Sequence, residues 1–182
     1  GLGATRVAAG LGARVTLLDR QAAKLAQAET LFGARVATRF SSPDAIADCT
    51  ADADIVIGAV QIPGRHAPRL ISRALLRRMP PGSVLVDVAI DQGGIADTSR
   101  PTTHSAPFFV AEGVVHYCVT NMPGAVARTA TEALTHATLP YVLALANRGL
   151  AALDADAGLK AGLHVHGGRI VHAGLAEDLG LS

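Results

Sequence analysis

The run VLVDVAIDQGG, Val84 to Gly94, joins a β-branched stretch to a carboxylate, Asp91, and then to a glycine turn. Such a stretch predicts a strand, and ligands of an open parallel sheet bind just beyond the carboxyl ends of its strands. An acid there stands where a cofactor ring and a substrate could meet, and it can exchange protons with either. Taken alone, Asp91 also reads as the acid of a solvated turn. Two further runs at the ends of apolar stretches bear on the choice: SRPTTHS, Ser99 to Ser105, and VTNMPGA, Val119 to Ala125. A second carboxylate, Asp19, ends the apolar run RVTLLD. In a nucleotide-binding sheet an acid at that point accepts hydrogen bonds from the adenosine ribose and repels a 2′-phosphate. It can cap the following helix as well. Arg20 beside it is the type of residue that serves a 2′-phosphate, so the two neighbours pull cofactor preference in opposite directions.

The elements that would position these groups alternate. Gly1 to Leu11 has apolar positions at helical spacing, Arg14 to Asp19 reads as a buried strand, and Gln21 to Phe32 as an amphipathic helix closed by Gly33. Ala34 to Phe40 is the next strand, with Ser41 and Ser42 as turn or cap residues. A short helix over Asp44 to Ala51 leads to a strand over Asp54 to Val60. After the loop QIPGRHAP come a helix over Ser72 to Arg78, the strand that leads to Asp91, and a last strand from Val114 to Thr120. Alternation at these lengths predicts βαβ units with right-handed crossovers. Beyond Pro123 a helical pattern runs to Thr138, which would cap a second helix with Pro140 in its first turn. The rest, Asn147 to Ser182, reads as short helices and turns without sheet. The expected fold is a doubly wound α/β domain over 1–127 lacking its first strand, then a helical part of a second domain over 128–182.

Composition narrows the function classes. Apolar residues make up 49% of 182 residues but aromatics only 3%, so the core must be Ala, Val, Leu and Ile. That is the material of helices packed on a parallel sheet. A net charge of +1, with scattered arginines, argues against nucleic acid as a partner, and no long apolar span suggests a membrane. Cys49 and Cys118 lack CxxC spacing and read as reduced thiols of a cytoplasmic protein. His164 and His166 alternate as a metal pair might, but without carboxylate or thiolate neighbours they read as exposed polar residues. No metal is expected. His104 and His116 read as loop and strand-packing residues.

Together the runs around Asp91, Ser99 and Val119 resemble alanine dehydrogenase, over almost the whole chain. In that family a GTNAA-like run opens the helix and continues into a VAAGLGA-like segment, which Val7 to Ala13 matches without a gap. The match puts Gly1 on the last glycine of a G-x-G-x-x-G fingerprint, whose first strand and earlier glycines would lie upstream. The resemblance implies NAD as cofactor and a reversible oxidative deamination of L-alanine to pyruvate and ammonia. It further implies that Lys24 can reach the adenosine ribose alongside Asp19, and that Ser41 lies beside the adenine. Val60 and Gln61 would present backbone to the nicotinamide-side ribose. Val88, Ala89, Ile90 and Asp91 would form the strand end beneath the nicotinamide. Arg100 would reach the cofactor, while Val119, Thr120, Asn121 and Met122 would close over the carboxamide.

Asp91 takes the role of acid/base under this resemblance. The substrate-gripping arginine and the polarising lysine and histidine that it implies match no run here, so the chain alone is expected to be inactive. A homohexamer in the cytoplasm is the implied assembly. Two alternatives remain open: the related NAD(H)-binding subunit of proton-translocating transhydrogenase, and a non-catalytic nucleotide-binding fragment.

Overall fold

The computed structural model describes residues 1–181. The chain divides into two compact units, one formed by 1–61 with 67–120 and the other by 62–66 with 121–182.

The first unit is a parallel α/β arrangement, as the alternation predicts. Helix α1, Leu2–Gly10, precedes β1, Val15–Asp19; α2, Ala22–Phe32, then returns the chain to β2, Val36–Phe40, which pairs with β1 in parallel from Val15↔Val36 to Asp19↔Phe40. The crossover holds because α2 buries Ala28 and Phe32 against Val36 and the half-buried Val15 and Leu17. Helix α3, Pro43–Ala51, starts where the Ser42 hydroxyl accepts the Ala45 N–H at 3.1 Å, with Pro43 in the first turn. It leads to β3, Ile55–Gly58. After α4, Arg73–Leu76, the chain enters β4, Val84–Asp87; the strands β5, Phe108–Ala111, and β6, Val114–Tyr117, complete a sheet ordered β3-β4-β6-β5. The pairs β3–β4 and β4–β6 are parallel. The core of this sheet is aliphatic: Ile71, Leu76, Met79, Leu85, Ile95, Ala96 and Val114 are buried together.

Three expectations for this unit are corrected. The strand leading to Asp91 stops at Asp87, and Val88–Gln92 form a 3-10 turn instead of a strand end. The cause is local: the Asp87 carboxylate accepts the N–H of Ala89, two residues on, and bends the chain out of the ladder. Helix α4 is a single turn, shorter than 72–78. Strand β5 escaped the sequence reading, and it pairs with β6 antiparallel. Its two-residue loop, Glu112-Gly113, has φ of 52° and 79°, the geometry of a type I′ hairpin turn. Glutamate is an uncommon residue there, and ion pairs with Arg73 and Arg77 at 2.8 and 2.7 Å hold its carboxylate.

In the second unit, helix α5 runs unbroken over Ala127–Arg148, with Pro140 inside it. The expected break and Thr138 cap are therefore wrong. Thr138 donates its hydroxyl to the Leu134 carbonyl, an ordinary mid-helix bond, and the missing N–H of Pro140 costs only the partner of one carbonyl. Short helices α6, Ala152–Ala155, and α7, Ala157–Ala161, follow. A two-stranded hairpin, β7 at Val165–His166 and β8 at Arg169–Ile170, contradicts the expectation of no sheet. Its Gly167-Gly168 turn has φ of 56° and 74°, a conformation open to glycine. Helix α8, Ala173–Asp178, is capped by His172, whose Nδ1 accepts the Leu175 N–H at 3.1 Å. Among the described residues no helix is long and apolar enough to cross a membrane.

Candidate active site

Parallel pairing sets the carboxyl ends of β1 and β2 side by side, and likewise those of β3 and β4. At the end of β1, Asp19 accepts the Gln21 N–H on Oδ1 at 2.8 Å, an Asx-type turn that starts α2. Capping thus engages one oxygen, and the other can accept from a hydroxyl. Ser41, at the end of β2, is tied to the same point: its N–H donates to the Asp19 carbonyl at 3.0 Å. Lys24 is exposed on the first turn of α2, and Arg20 is exposed beside Asp19. A Cβ added to Gly1 would lie 3.9 Å from the Cβ of Ala59, so the first turn of α1 starts beside the end of β3. A helix start beside the end of β3 and a carboxylate at the end of β1 are the kinds of group that meet the anionic and diol parts of a dinucleotide.

The second pair of strand ends, those of β3 and β4, leads to the segments that hold Gln61 and Asp91. Val60 packs on the core cluster that includes Ala89, while Gln61 is exposed. In the turn after β4, Ala89 and Ile90 are buried, whereas Val88 and Asp91 are exposed. The turn closes through Gly93 N–H to the Ile90 carbonyl at 2.9 Å and Gly94 N–H to the Ala89 carbonyl at 3.0 Å. Asp91 therefore stands free of the core on a backbone with both shoulders fixed.

Sequence reasoning passed over the residue that fixes them. Asp87, at the last position of β4, is fully buried. Its Oδ1 accepts the Ala89 N–H at 3.1 Å; its Oδ2 accepts the Ile95 N–H at 2.8 Å and the Ser99 hydroxyl at 2.5 Å. Its signal in the sequence is an acid that interrupts the apolar run VLVDVAI. Ser99, noticed only as part of a run, also accepts the Ala96 N–H at 3.1 Å.

Two residues after Arg100, Thr102 bridges to the Val119-Thr120 segment in parallel: its N–H donates to the Cys118 carbonyl at 2.9 Å, and the Thr120 N–H donates to the Thr102 carbonyl at 3.2 Å. Val119 is buried. The Arg100 guanidinium lies 4.1 Å from the Phe109 ring centroid, a cation–π contact, at the rim of a shallow groove of about 270 Å³ with Thr102, Thr103 and Phe108. Phe109 stacks in turn on His116, whose ring bridges Val114 and Thr98 through Nδ1 and Nε2 at 2.9 and 2.7 Å. His116 is thus a satisfied packing residue, as its strand position suggested. Burial first, and the Asp87 carboxylate second, push the Cys118 thiol up to about 11, so it stays protonated and inert. Asn121, in a left-handed conformation with φ of 51°, and Met122 start a 3-10 turn in the second unit. His164 meets His172 edge-on at 4.7 Å instead of pairing with His166, and no group of three or more metal-ligating side chains occurs among the described residues.

Comparison with known proteins gives concordant matches. The family model described as alanine dehydrogenase/PNT, C-terminal domain, matches residues 1–173. An alanine dehydrogenase of Halomonas elongata is 53% identical over 182 residues, covering 100% of this chain and 49% of that protein. A solved L-alanine dehydrogenase superposes with a TM-score of 0.81 at 48% identity, covering 98% of this chain and 50% of that one. The transhydrogenase of Sinorhizobium meliloti is more distant, with a TM-score of 0.70 at 31% identity over 95% of this chain and 46% of that one. The chain spans about half the length of the curated relatives it matches.

Proposed function

The chain belongs to the alanine dehydrogenase/PNT C-terminal domain family, and from that premise we propose that it is the NAD-binding part of an enzyme that converts L-alanine reversibly to pyruvate and ammonia. The observation that carries this reading is Asp91, an exposed carboxylate on a rigid turn beyond the carboxyl end of β4. The higher identity to alanine dehydrogenases favours it over the transhydrogenase alternative.

Asp19 would accept the adenosine ribose hydroxyls, with Lys24 on the first turn of α2 and Ser41 after β2 nearby. Val60, Gln61 and the Val88–Ile90 backbone would line the nicotinamide side, with Arg100, Val119 and Thr120 as its outer contacts. When bound, the nicotinamide supplies the hydride acceptor. Asp91 takes the proton that the substrate amine releases as the Cα–H bond breaks. It passes that proton to solvent, takes one from the water that adds to the imine carbon, gives it to the amino nitrogen as the C–N bond breaks and ammonia leaves, and accepts the hydroxyl proton as the carbonyl forms. The reading extends to a cytoplasmic homohexamer. Purified full-length protein should form NADH only when alanine is present, releasing pyruvate and ammonium in equal amounts. Absence of that activity would overturn the reading, and sedimentation of the same sample tests the sixfold assembly.

A further inference from the structure

The hydrogen-bond pattern at the end of β4 singles out one more residue for the proposed reaction, and the argument rests on the reading of Asp91 above. We infer that Asp87 is a positioning residue: its buried carboxylate, through the backbone of Ala89 and Ile95 and the hydroxyl of Ser99, sets where Asp91 stands.

Its three donors come from the two shoulders of the Asp91 turn and from the residue before Arg100. One carboxylate therefore ties both shoulders of the turn to a second segment of the site. The arrangement asks for acceptors only. Two N–H groups and one O–H converge on two oxygens, so the amide of an asparagine would turn N–H₂ toward one of these donors. Packing makes the same demand. Gly94 has φ of 82°, and a Cβ added there would lie 2.6 Å from Asp87 Oδ2 and 2.6 Å from Ser99 Cβ. From the other side Arg69 donates to the Gly94 and Ala96 carbonyls at 3.1 and 2.6 Å, and the Ala67 N–H donates to the Gln92 carbonyl at 2.8 Å. The turn is held outside by arginine and backbone and inside by Asp87. Asp91 itself has no part in the network, so a shift of the turn moves it without removing it.

The test uses the full-length protein with Asp87→Asn, Ser99→Ala, Asp91→Asn and the double variant Asp87→Asn/Asp91→Asn. Asp87→Asn should lower kcat by about tenfold to a hundredfold, the scale of an ångström-sized misplacement of a reacting group. The pH profile of kcat should shift on the limb that follows Asp91, while ADP-ribose affinity, which reads the Asp19 side, is retained. Ser99→Ala should cause a smaller fall in the same direction, and it decides the matter should Asp87→Asn fail to fold. Hydrogen exchange at Ala89 and Ile95 should quicken in both variants. In the Asp91→Asn background Asp87→Asn should have little further effect, because the group it positions is gone. Wild-type kcat and pH profile in Asp87→Asn and Ser99→Ala, or full additivity in the double variant, would overturn the positioning role while leaving Asp91 in place. Near-normal turnover in Asp91→Asn would instead overturn the reading beneath it.

Discussion

Asp87 and Asp91 have the same side chain four residues apart and opposite surroundings, one enclosed by three donors and the other exposed. The exposed carboxylate is the one open to a substrate, which is why the acid/base role is proposed for Asp91. Asp91→Asn keeps the shape and removes the titrating proton. Turnover of the full-length protein should fall by about two or more orders of magnitude while NADH affinity, followed by fluorescence titration, changes little. Asp19 gives a prediction of specificity. Its charge opposes a 2′-phosphate, so Asp19→Ala should narrow the ratio of kcat/KM between NAD and NADP, with exposed Arg20 ready to meet the phosphate. An unchanged ratio in steady-state kinetics would remove Asp19 from this role.

At the scale of elements, the β5–β6 hairpin and α5 each carry a local conflict that makes a measurable difference. Glu112 sits at positive φ, and hydrogen bonds from Arg77 first and Arg73 second hold its carboxyl below the ordinary value of 4.5. A depressed carboxylate contributes stability above its unfolded pKa and loses it as pH falls through the folded value. Denaturation curves of Glu112→Gln should thus converge with those of the parent protein in acid and lie below them near neutral pH. The difference will be small and salt-dependent, because the pairs are at the surface. Pro140 within α5 is the reverse case, a helix breaker in an exposed helix interior. Pro140→Ala restores one N–H and should stabilise this part of the chain by about 1–3 kcal/mol in urea titration. A loss of stability would show that the proline shapes α5 in a way the backbone pattern does not explain.

For the molecule as a whole, the chain has an Asp91 but no run that matches the substrate-gripping arginine or the polarising lysine and histidine that its family resemblance implies. Its only lysines are Lys24 and Lys160. Much of α5 is also uncovered: Leu134, Tyr141, Val142 and Leu143 are 65%, 47%, 56% and 51% exposed. Apolar exposure on this scale marks surface that other protein normally covers. Expressed alone, residues 1–182 should bind ANS and should not reduce NAD with alanine, whereas the full-length protein should do the latter and not the former. Alanine-dependent NADH formation by the isolated chain would mean that the rest of the site lies within it.

Apart from β5 and the ends of α4 and β4, the strands and helices of the first unit were legible because their signals are local. β-branched runs closed by Asp19, Phe40 and Gly58, a Ser42 cap before Pro43 and glycine stops act over a few residues. The proposed acid could be picked out as well, because Asp91 stands two residues before a glycine pair in a run of family character. What only the tertiary structure decided depends on contacts between distant residues. The I′ turn at Glu112 is stabilised by arginines 35 and 39 residues earlier in the chain. Asp87 became more than a polar residue in a strand only when Ile95 and Ser99 folded back over it. Burial turns an ordinary carboxylate into one that must find every donor within reach, and a sequence does not state burial.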